Sequence, residues 1–356
     1  MNRPVHGGGV DRAMGDLGLP RAAIADFSAS INPLGTPPQV QRALLDAVAR
    51  IGDYPEIDAE SLRQQLAVFH TLPEANLLPG SGSTELIYLL PRVFQPRKAL
   101  LVQPCFGEYA PALLRCNTKV DSLALSAEDN FSFSVERIVA AVDSTTDLVL
   151  LANPGNPSGI GIAPELLLEL AERLGACRLL VDEAFADFCP QRSLLAAVPR
   201  LTNLLILRSL TKFYAIPGLR AGYLAGPAKD IARLAAAREP WALSNLAIAA
   251  AKACLSAEGY QAQTLQLIPQ LREELATGLA ELGLKVFPGE ANYLLCQLPE
   301  NAPGAERVAE LLRYEGILVR NCADFLPLDN RYLRVAVLGR ENNGRLQKEL
   351  QKILRL

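Results

Sequence analysis

Leu207-Arg208-Ser209-Leu210-Thr211-Lys212-Phe213-Tyr214-Ala215-Ile216-Pro217-Gly218-Leu219-Arg220-Ala221-Gly222-Tyr223 decides the reading of this chain. An apolar run over residues 204–207 precedes the lysine and reads as a buried strand, and a second run over 223–225 returns to a sheet. Between them Lys212 stands three residues after Ser209 and eight before Arg220, with Pro217-Gly218 turning the chain between the two cations. A lysine between two strands, among hydroxyls and glycines, is not placed for solubility. Once desolvated, its amine is a nucleophile that forms Schiff bases with carbonyl compounds. Ser209, Thr211 and Arg220 suit a phosphate, as two hydroxyls and a planar guanidinium fork. Taken alone, Lys-x-x-x-x-Pro-Gly reads equally well as a surface lysine in a turn.

The flanking chain alternates. Residues 99–102, 147–152, 178–182 and 204–207 read as apolar strands, and residues 164–174, with Pro164 in the first turn, as a helix. Continuous apolar strands separated by helices predict an α/β fold with a mostly parallel sheet covered on both faces. Sites in such sheets form at the carboxyl ends of the strands, where Asn156, Asp182, Ser209 and Lys212 all fall. Asp182 at the end of a buried strand needs a cation, because an unpaired buried charge is costly; the plainer alternative is a helix N-cap. Residues 77–87 form a glycine-rich turn opening a helix, whose free amides and positive dipole end suit an anion. Ser83 and Thr84 add hydroxyls there, and Glu85 suits the dipole.

Residues 39–50 and 61–70 read as helices, the second ending in His70 as a surface residue rather than a ligand. Residues 265–282 read as a helix, 291–296, 317–320 and 332–337 as strands of a small antiparallel or mixed sheet, and 346–354 as a closing amphipathic helix. Residues 26–35 read as an extended segment turning at Asn32-Pro33, and His6-Gly7-Gly8-Gly9 as a disordered arm.

With 356 residues, half of them hydrophobic and a formal net charge of −3, the chain is long enough for two domains and does not suggest a polyanion partner. No basic, aromatic-interleaved patch points to nucleic acid. No apolar run is of membrane-spanning length, and residues 1–7 lack a signal-peptide core. Seven cysteines without a Cys-x-x-Cys pair fit reduced thiols, so a cytoplasmic location is expected. Cys105, Cys177, Cys189 and Cys296 read as small core residues. Two histidines, His6 and His70, are too few for a multi-histidine metal site, and no metal is expected.

The stretch around Lys212 resembles the cofactor-lysine segment of fold-type I pyridoxal-phosphate enzymes, in the branch of histidinol-phosphate aminotransferases and threonine-phosphate decarboxylases. Asn153-Pro154-Gly155-Asn156-Pro157-Ser158-Gly159 is similar to their Asn-Pro-x-Asn-Pro-Thr-Gly loop. Phe27-Ser28-Ala29-Ser30-Ile31-Asn32-Pro33-Leu34-Gly35 and His6-Gly7-Gly8 are similar to the opening of the decarboxylases. Arg320-Asn321-Cys322-Ala323-Asp324-Phe325 resembles the decarboxylase segment Arg-Ser-Cys-Ala-Asn-Tyr. The likeness runs from His6 to Val337.

The resemblance implies a large domain at 46–242, a small α+β domain at 243–356, and an arm at 1–45 that contributes to the small domain. It implies pyridoxal 5'-phosphate as cofactor, bound by Lys212. Ser83, Thr84, Ser209 and Arg220 would hold its phosphate, Asn156 would donate to its phenolic oxygen, and Asp182 would pair with its ring nitrogen. Tyr109 would lie against its face. Tyr54 would reach the cofactor phosphate of the neighbouring subunit in a homodimer; by itself it reads also as a packed loop aromatic. Arg334 would bind the substrate carboxylate, and Arg320 the phosphate, with His6, Gly7 and Asn32 lining the pocket. Counted simply as arginines, Arg320 and Arg334 are surface residues by default. The implied reaction is decarboxylation of O-phospho-L-threonine to (R)-1-aminopropan-2-yl phosphate in cobalamin biosynthesis. The alternative is a histidinol-phosphate or related aminotransferase.

Overall fold

The structure is a computed structural model that describes residues 6–355. Thirteen strands run in chain order: β1 Ala25–Asp26, β2 Leu77–Gly80, β3 Lys98–Gln103, β4 Lys119–Ala124, β5 Thr146–Ala152, β6 Arg178–Asp182, β7 Leu204–Ser209, β8 Gly222–Ala225, β9 Lys285–Val286, β10 Tyr293–Gln297, β11 Ile317–Leu318, β12 Arg320–Asn321 and β13 Tyr332–Ala336. Strands β2 to β8 form one sheet of seven in the order β2-β8-β7-β6-β5-β3-β4. The ladders joining β7, β6, β5, β3 and β4 are parallel, while β8 runs antiparallel to both β7 and β2.

The apolar runs explain why this sheet is covered on both faces. Leu148, Leu150, Leu180, Leu205 and Leu207 face one cluster, with helices Gly82–Phe94 and Ala228–Ala237. The alternate residues Val149, Leu151, Leu179, Val181, Leu204 and Ile206 face another, with helix Pro164–Leu174. Side chains alternate along a strand, so unbroken apolar runs bury both sides. The edge strand β4 is mostly exposed, and its polar sequence Lys-Val-Asp-Ser-Leu-Ala carries no such signal.

The smaller sheet has the order β12-β13-β10-β9, all antiparallel, and backs onto helices Glu258–Glu281, Ala305–Tyr314 and Arg340–Leu354. The first of these runs unbroken through Pro269, seven residues earlier than the apolar periodicity at 265. The last starts at Arg340, before its amphipathic stripe begins. The span 317–320 is two short strands rather than one, because β11 leaves the smaller sheet to pair in parallel with β1.

Residues 6–9 form a bent arm seated on Ser28 rather than a disordered one, followed by a helix at Val10–Leu17. A Cβ on Gly7 would lie 2.0 Å from the Ser28 carbonyl oxygen, and the Gly8 amide donates to Ser28 Oγ at 2.9 Å. The segment after β1 then enters the core: the Phe27 amide donates to the Leu318 carbonyl at 2.7 Å, and its carbonyl accepts from Ala336 at 2.9 Å. His70 ends its helix half-buried rather than freely exposed, with its Nε2 2.5 Å from the Tyr223 hydroxyl. Burial, reinforced by the charge of Arg208, lowers its imidazole to about 3, so it stays neutral. Among the described residues no helix is long and apolar enough to cross a membrane.

Phe27 is fully buried between the two sheets of the C-terminal half. Phe27→Ala is expected to cost about 3–5 kcal/mol through lost transfer energy and the cavity left behind. The check is a lowered midpoint in thermal or urea unfolding; a midpoint equal to the parent's contradicts it.

Candidate active site

A cavity of about 320 Å³ opens where the carboxyl ends of β5, β6 and β7 meet the smaller sheet and the N-terminal arm. His6, Gly7, Ser83, Thr84, Tyr109 and Asn156 line it. Asp182, Thr211, Lys212, Arg220, Arg320 and Arg334 complete the polar lining. Among the described residues no cluster of His, Cys, Asp and Glu is arranged to hold a metal ion.

Lys212 follows β7, its Nζ donating to Ser209 Oγ at 3.2 Å and lying 5.6 Å from the Phe185 ring centre. Desolvation lowers the amine to about 8, against the opposing pull of Asp182; Arg220 and Arg334 lower it further. Roughly a tenth of it is therefore the neutral nucleophile at pH 7, on the order of a hundredfold more than for an ordinary lysine. Asp182 is buried at the end of β6, its Oδ1 accepting from the Ala184 amide at 2.9 Å and its Oδ2 from the Tyr109 hydroxyl at 2.5 Å. Burial pushes this carboxyl above the usual range despite those bonds and the nearby Lys212. None of the described cations lies within ion-pair distance of it, so the pocket holds a buried acid that a cationic ligand atom would complete.

The anion cradle is built by close approach. Gly82 opens helix Gly82–Phe94 at φ +75°, and a Cβ there would lie 2.5 Å from Arg220 Nη2. A Cβ on Gly222 would lie 2.9 Å from the Ser83 amide nitrogen. Only glycines let Arg220 and the helix start close on one concavity, with Ser209 and Thr211 hydroxyls 2.8 Å apart beside it. Pyridoxal phosphate fits this set: a lysine for its aldehyde, a cradle for its phosphate and a buried carboxylate for its ring nitrogen.

Arg334, on β13, reaches the cavity with Nη1 donating to Asn156 Oδ1 at 2.5 Å and Nη2 to the Ser28 carbonyl at 2.9 Å. No described acidic side chain pairs with it, and its Nε finds no partner. Asn156 thus spends its oxygen on Arg334, which leaves its amide nitrogen as a donor toward the cavity. Arg320, directly across the β12–β13 ladder from Arg334, also faces the cavity, with Asp324 on its Nη2.

One residue expected in the pocket stands elsewhere, and Tyr109, which lines the cavity, also has a second task. Asn32 is buried behind the wall: its Nδ2 donates to the Phe213 carbonyl at 2.8 Å and to Thr264 Oγ1 at 2.9 Å, and its amide donates to the Lys212 carbonyl at 3.0 Å. It fixes the lysine loop and has no group left for a ligand. Tyr54, expected at the neighbouring subunit's cofactor rather than in this cavity, is 81% exposed with its ring on Trp241 and does not line this cavity. Tyr109 is fully buried, and its hydroxyl holds Asp182; Phe106 is the half-buried ring on that wall of the cavity. The residues missed in the sequence are Phe106, Ser28 and Tyr293. Tyr293 donates to the Gly155 carbonyl at 2.6 Å, and its ring lies 5.1 Å from the Arg334 guanidinium. Phe106 and Ser28 lie inside recognisable segments; nothing around Tyr293 in sequence signals its contact. His6, at the rim, lies 2.6 Å from Glu108 Oε1, and Glu108 Oε2 accepts from Tyr88 at 2.5 Å.

The fold and this site define a pyridoxal-phosphate-dependent enzyme of fold type I. The chain belongs to the class I and II aminotransferase family, which matches residues 23–350. It is 36% identical to a threonine-phosphate decarboxylase of Salmonella typhimurium over 98% of this chain and 96% of that one. It is 32% identical to a histidinol-phosphate aminotransferase of Oleidesulfovibrio alaskensis over 93% and 88% of the two chains. The crystal structure of an L-threonine-O-3-phosphate decarboxylase from Porphyromonas gingivalis superposes with a TM-score of 0.83 at 26% identity, covering 93% of this chain and 99% of that one.

In cofactor-free protein, acylation of Lys212 is expected to rise with pH around a midpoint near 8. Asp182→Asn removes the charge that favours the ammonium form and moves the midpoint lower. Peptide mapping after pulse labelling with acetic anhydride reads this; a midpoint near 10.5, the ordinary lysine value, contradicts it.

Proposed function

We propose that the protein decarboxylates O-phospho-L-threonine, releasing carbon dioxide and (R)-1-aminopropan-2-yl phosphate for cobalamin biosynthesis. The observation that carries this is the pair of arginines facing one cavity from neighbouring strands, Arg334 and Arg320, within a pocket that also holds Lys212. A small substrate with a carboxylate and a phosphate needs two such forks. The 36% identity to a threonine-phosphate decarboxylase over nearly the whole of both chains supports the same reading.

When bound, the cofactor supplies an electron sink for the bond broken at the substrate's alpha carbon. The chain's own groups do the rest. Asp182, held by Tyr109 and the Ala184 amide, keeps a negative charge where the ring nitrogen needs it. Arg334, positioned by its bonds to Asn156 Oδ1 and the Ser28 carbonyl, takes the substrate carboxylate. Arg320 takes the phosphate. Held at both ends, the substrate presents one alpha-carbon bond for cleavage, and orientation of this kind accounts for much of the rate. Lys212 Nζ, with a lowered affinity for its proton, returns a proton to the alpha carbon once carbon dioxide has left. His6 and Gly7 of the N-terminal arm add to the cavity lining.

The histidinol-phosphate aminotransferase relatives favour a second reading in which the same groups break the bond to hydrogen instead. Incubating the holoenzyme with phosphothreonine, and separately with histidinol phosphate plus 2-oxoglutarate, and identifying products by mass spectrometry separates the two. Aminopropanol phosphate from the first supports decarboxylation; imidazoleacetol phosphate and glutamate from the second overturn it. Borohydride is expected to fix the cofactor on the Lys212 peptide, and Lys212→Ala to abolish that.

Arg320→Ala is expected to lower kcat/KM for phosphothreonine by about tenfold to a hundredfold, the loss of one charge-assisted bond, and to affect threonine far less. Equal losses on both compounds contradict the phosphate role.

The assembly is proposed to be a two-fold homodimer. Helix Pro38–Val48 and the loop after it expose Leu45, Val48, Ile51, Tyr54 and Ile57, a run of apolar residues that a partner would cover. Light scattering is expected to give twice the chain mass, and Tyr54→Phe to weaken cofactor retention; a fully active monomer contradicts both.

A further inference from the structure

Asp324 brings a second carboxylate to the cavity, and its role differs from that of Asp182. Its side chain is 42% exposed, and both its oxygens accept from one nitrogen, Arg320 Nη2, at 2.8 and 2.7 Å. Arg320 is the fixed half of the pair. Its side chain is only 8% exposed, its Nη1 donates to the Asn321 carbonyl, and its guanidinium carbon lies 4.8 Å from the Phe325 ring centre. Asp324 is the movable half: a short side chain on the loop after β12, with solvent on one side into which it can rotate.

The fork that faces the cavity is therefore already neutralised by a group of this chain. Arg334, one strand away, carries no such acid. An incoming anion meets Asp324 first, and two anions on one guanidinium repel each other. To bind Arg320, a ligand must gain more from the fork than Asp324 loses by moving into water. A phosphate, with two negative charges and three oxygens, meets that demand better than a single carboxylate.

We propose that Asp324 is a specificity-determining counter-ion that reserves Arg320 for phosphate esters and rejects amino acids and oxo acids bearing a second carboxylate. This rests on Arg320 being the phosphate dock. Asp324→Asn keeps a hydrogen-bond acceptor beside Arg320 but removes the charge, so it raises affinity for every anion at that fork and narrows the margin between phosphate and carboxylate. Asp324→Glu keeps the charge and preserves the parent's behaviour.

The test uses holoenzyme, in which the cofactor's own phosphate fills the cradle at Arg220. Inorganic phosphate and succinate are titrated calorimetrically into the parent, Asp324→Asn and Asp324→Glu, and into Asp324→Asn carrying Arg320→Ala. The expected result is roughly tenfold tighter phosphate binding in Asp324→Asn, the size of one charge-assisted bond, and measurable succinate binding absent from the parent. Asp324→Glu should match the parent, and the added Arg320→Ala should remove the gain. Unchanged or weaker phosphate binding in Asp324→Asn, with cofactor absorbance and thermal midpoint intact, overturns the proposal, as does a gain that survives Arg320→Ala. The titration does not depend on turnover. Failure of the parent to convert phosphothreonine sinks the decarboxylase reading alone, whereas failure of the titration sinks the role of Asp324 alone.

Discussion

A buried ion pair ties the carboxyl ends of β6 and β7, and the site is hung from it. Arg208 Nη1 lies 2.8 Å from Glu183 Oε2, with the two side chains 4% and 0% exposed. Glu183 also accepts from Ser193 Oγ at 2.6 Å and from the Leu194 amide at 2.7 Å, and Asp187 accepts from Arg208 Nη2. Each member of the pair adjoins a site residue. Glu183 follows Asp182, Arg208 precedes Ser209, and Asp182 faces Leu207 across the ladder. Replacing the pair by well-packed apolar groups can be neutral, but removing one partner leaves a buried charge at a cost of about 3–5 kcal/mol. The pair therefore matters less as a source of stability than as a fixed distance between Asp182 and the Lys212 loop.

Above that pair the pocket holds charges that the chain does not neutralise itself. Among the described residues, Asp182 is a buried acid with no cation in ion-pair range, and Arg334 is a buried cation with no acid. Burial works against the charged form of both, raising the first and lowering the second. Such groups persist only where a ligand completes them. A cofactor with a cationic ring nitrogen and a substrate with a carboxylate would supply the two missing partners. Arg320 follows the other course, neutralised in advance by Asp324, so the two forks present different thresholds to an anion.

The sequence by itself determined the sheet and the chemistry along it. Unbroken apolar runs at β5, β6 and β7 are legible because side-chain alternation buries both faces. Lys212, Asp182 and Asn156 follow those strands at their carboxyl ends, so chain order alone brings them together, while the glycine turn before Ser83 follows β2 at the sheet edge. Cysteines 105, 177, 189 and 296 are all buried, as their apolar neighbours indicate.

Tertiary structure alone decided which of several plausible polar residues face the cavity. Asn32 belongs to a pocket segment by sequence, yet its side chain turns away to satisfy the Phe213 carbonyl and Thr264, because a buried carbonyl must find a donor. Tyr109 and Phe106 sit three residues apart on one turn, and only the packing around Asp182 spends the Tyr109 hydroxyl on that carboxylate and leaves the Phe106 ring half-buried at the cavity. His70 looks like a surface helix end until Tyr223, 153 residues away, closes over it. Asp324 and Arg320 are four apart and attract each other in any conformation that allows it, but only the meeting of β12, β13 and the strand ends of the large sheet puts that pair inside a ligand cavity. Local pattern fixes which face of a strand is apolar; the identity of a polar side chain's partner depends on segments hundreds of residues distant, and no local pattern encodes it.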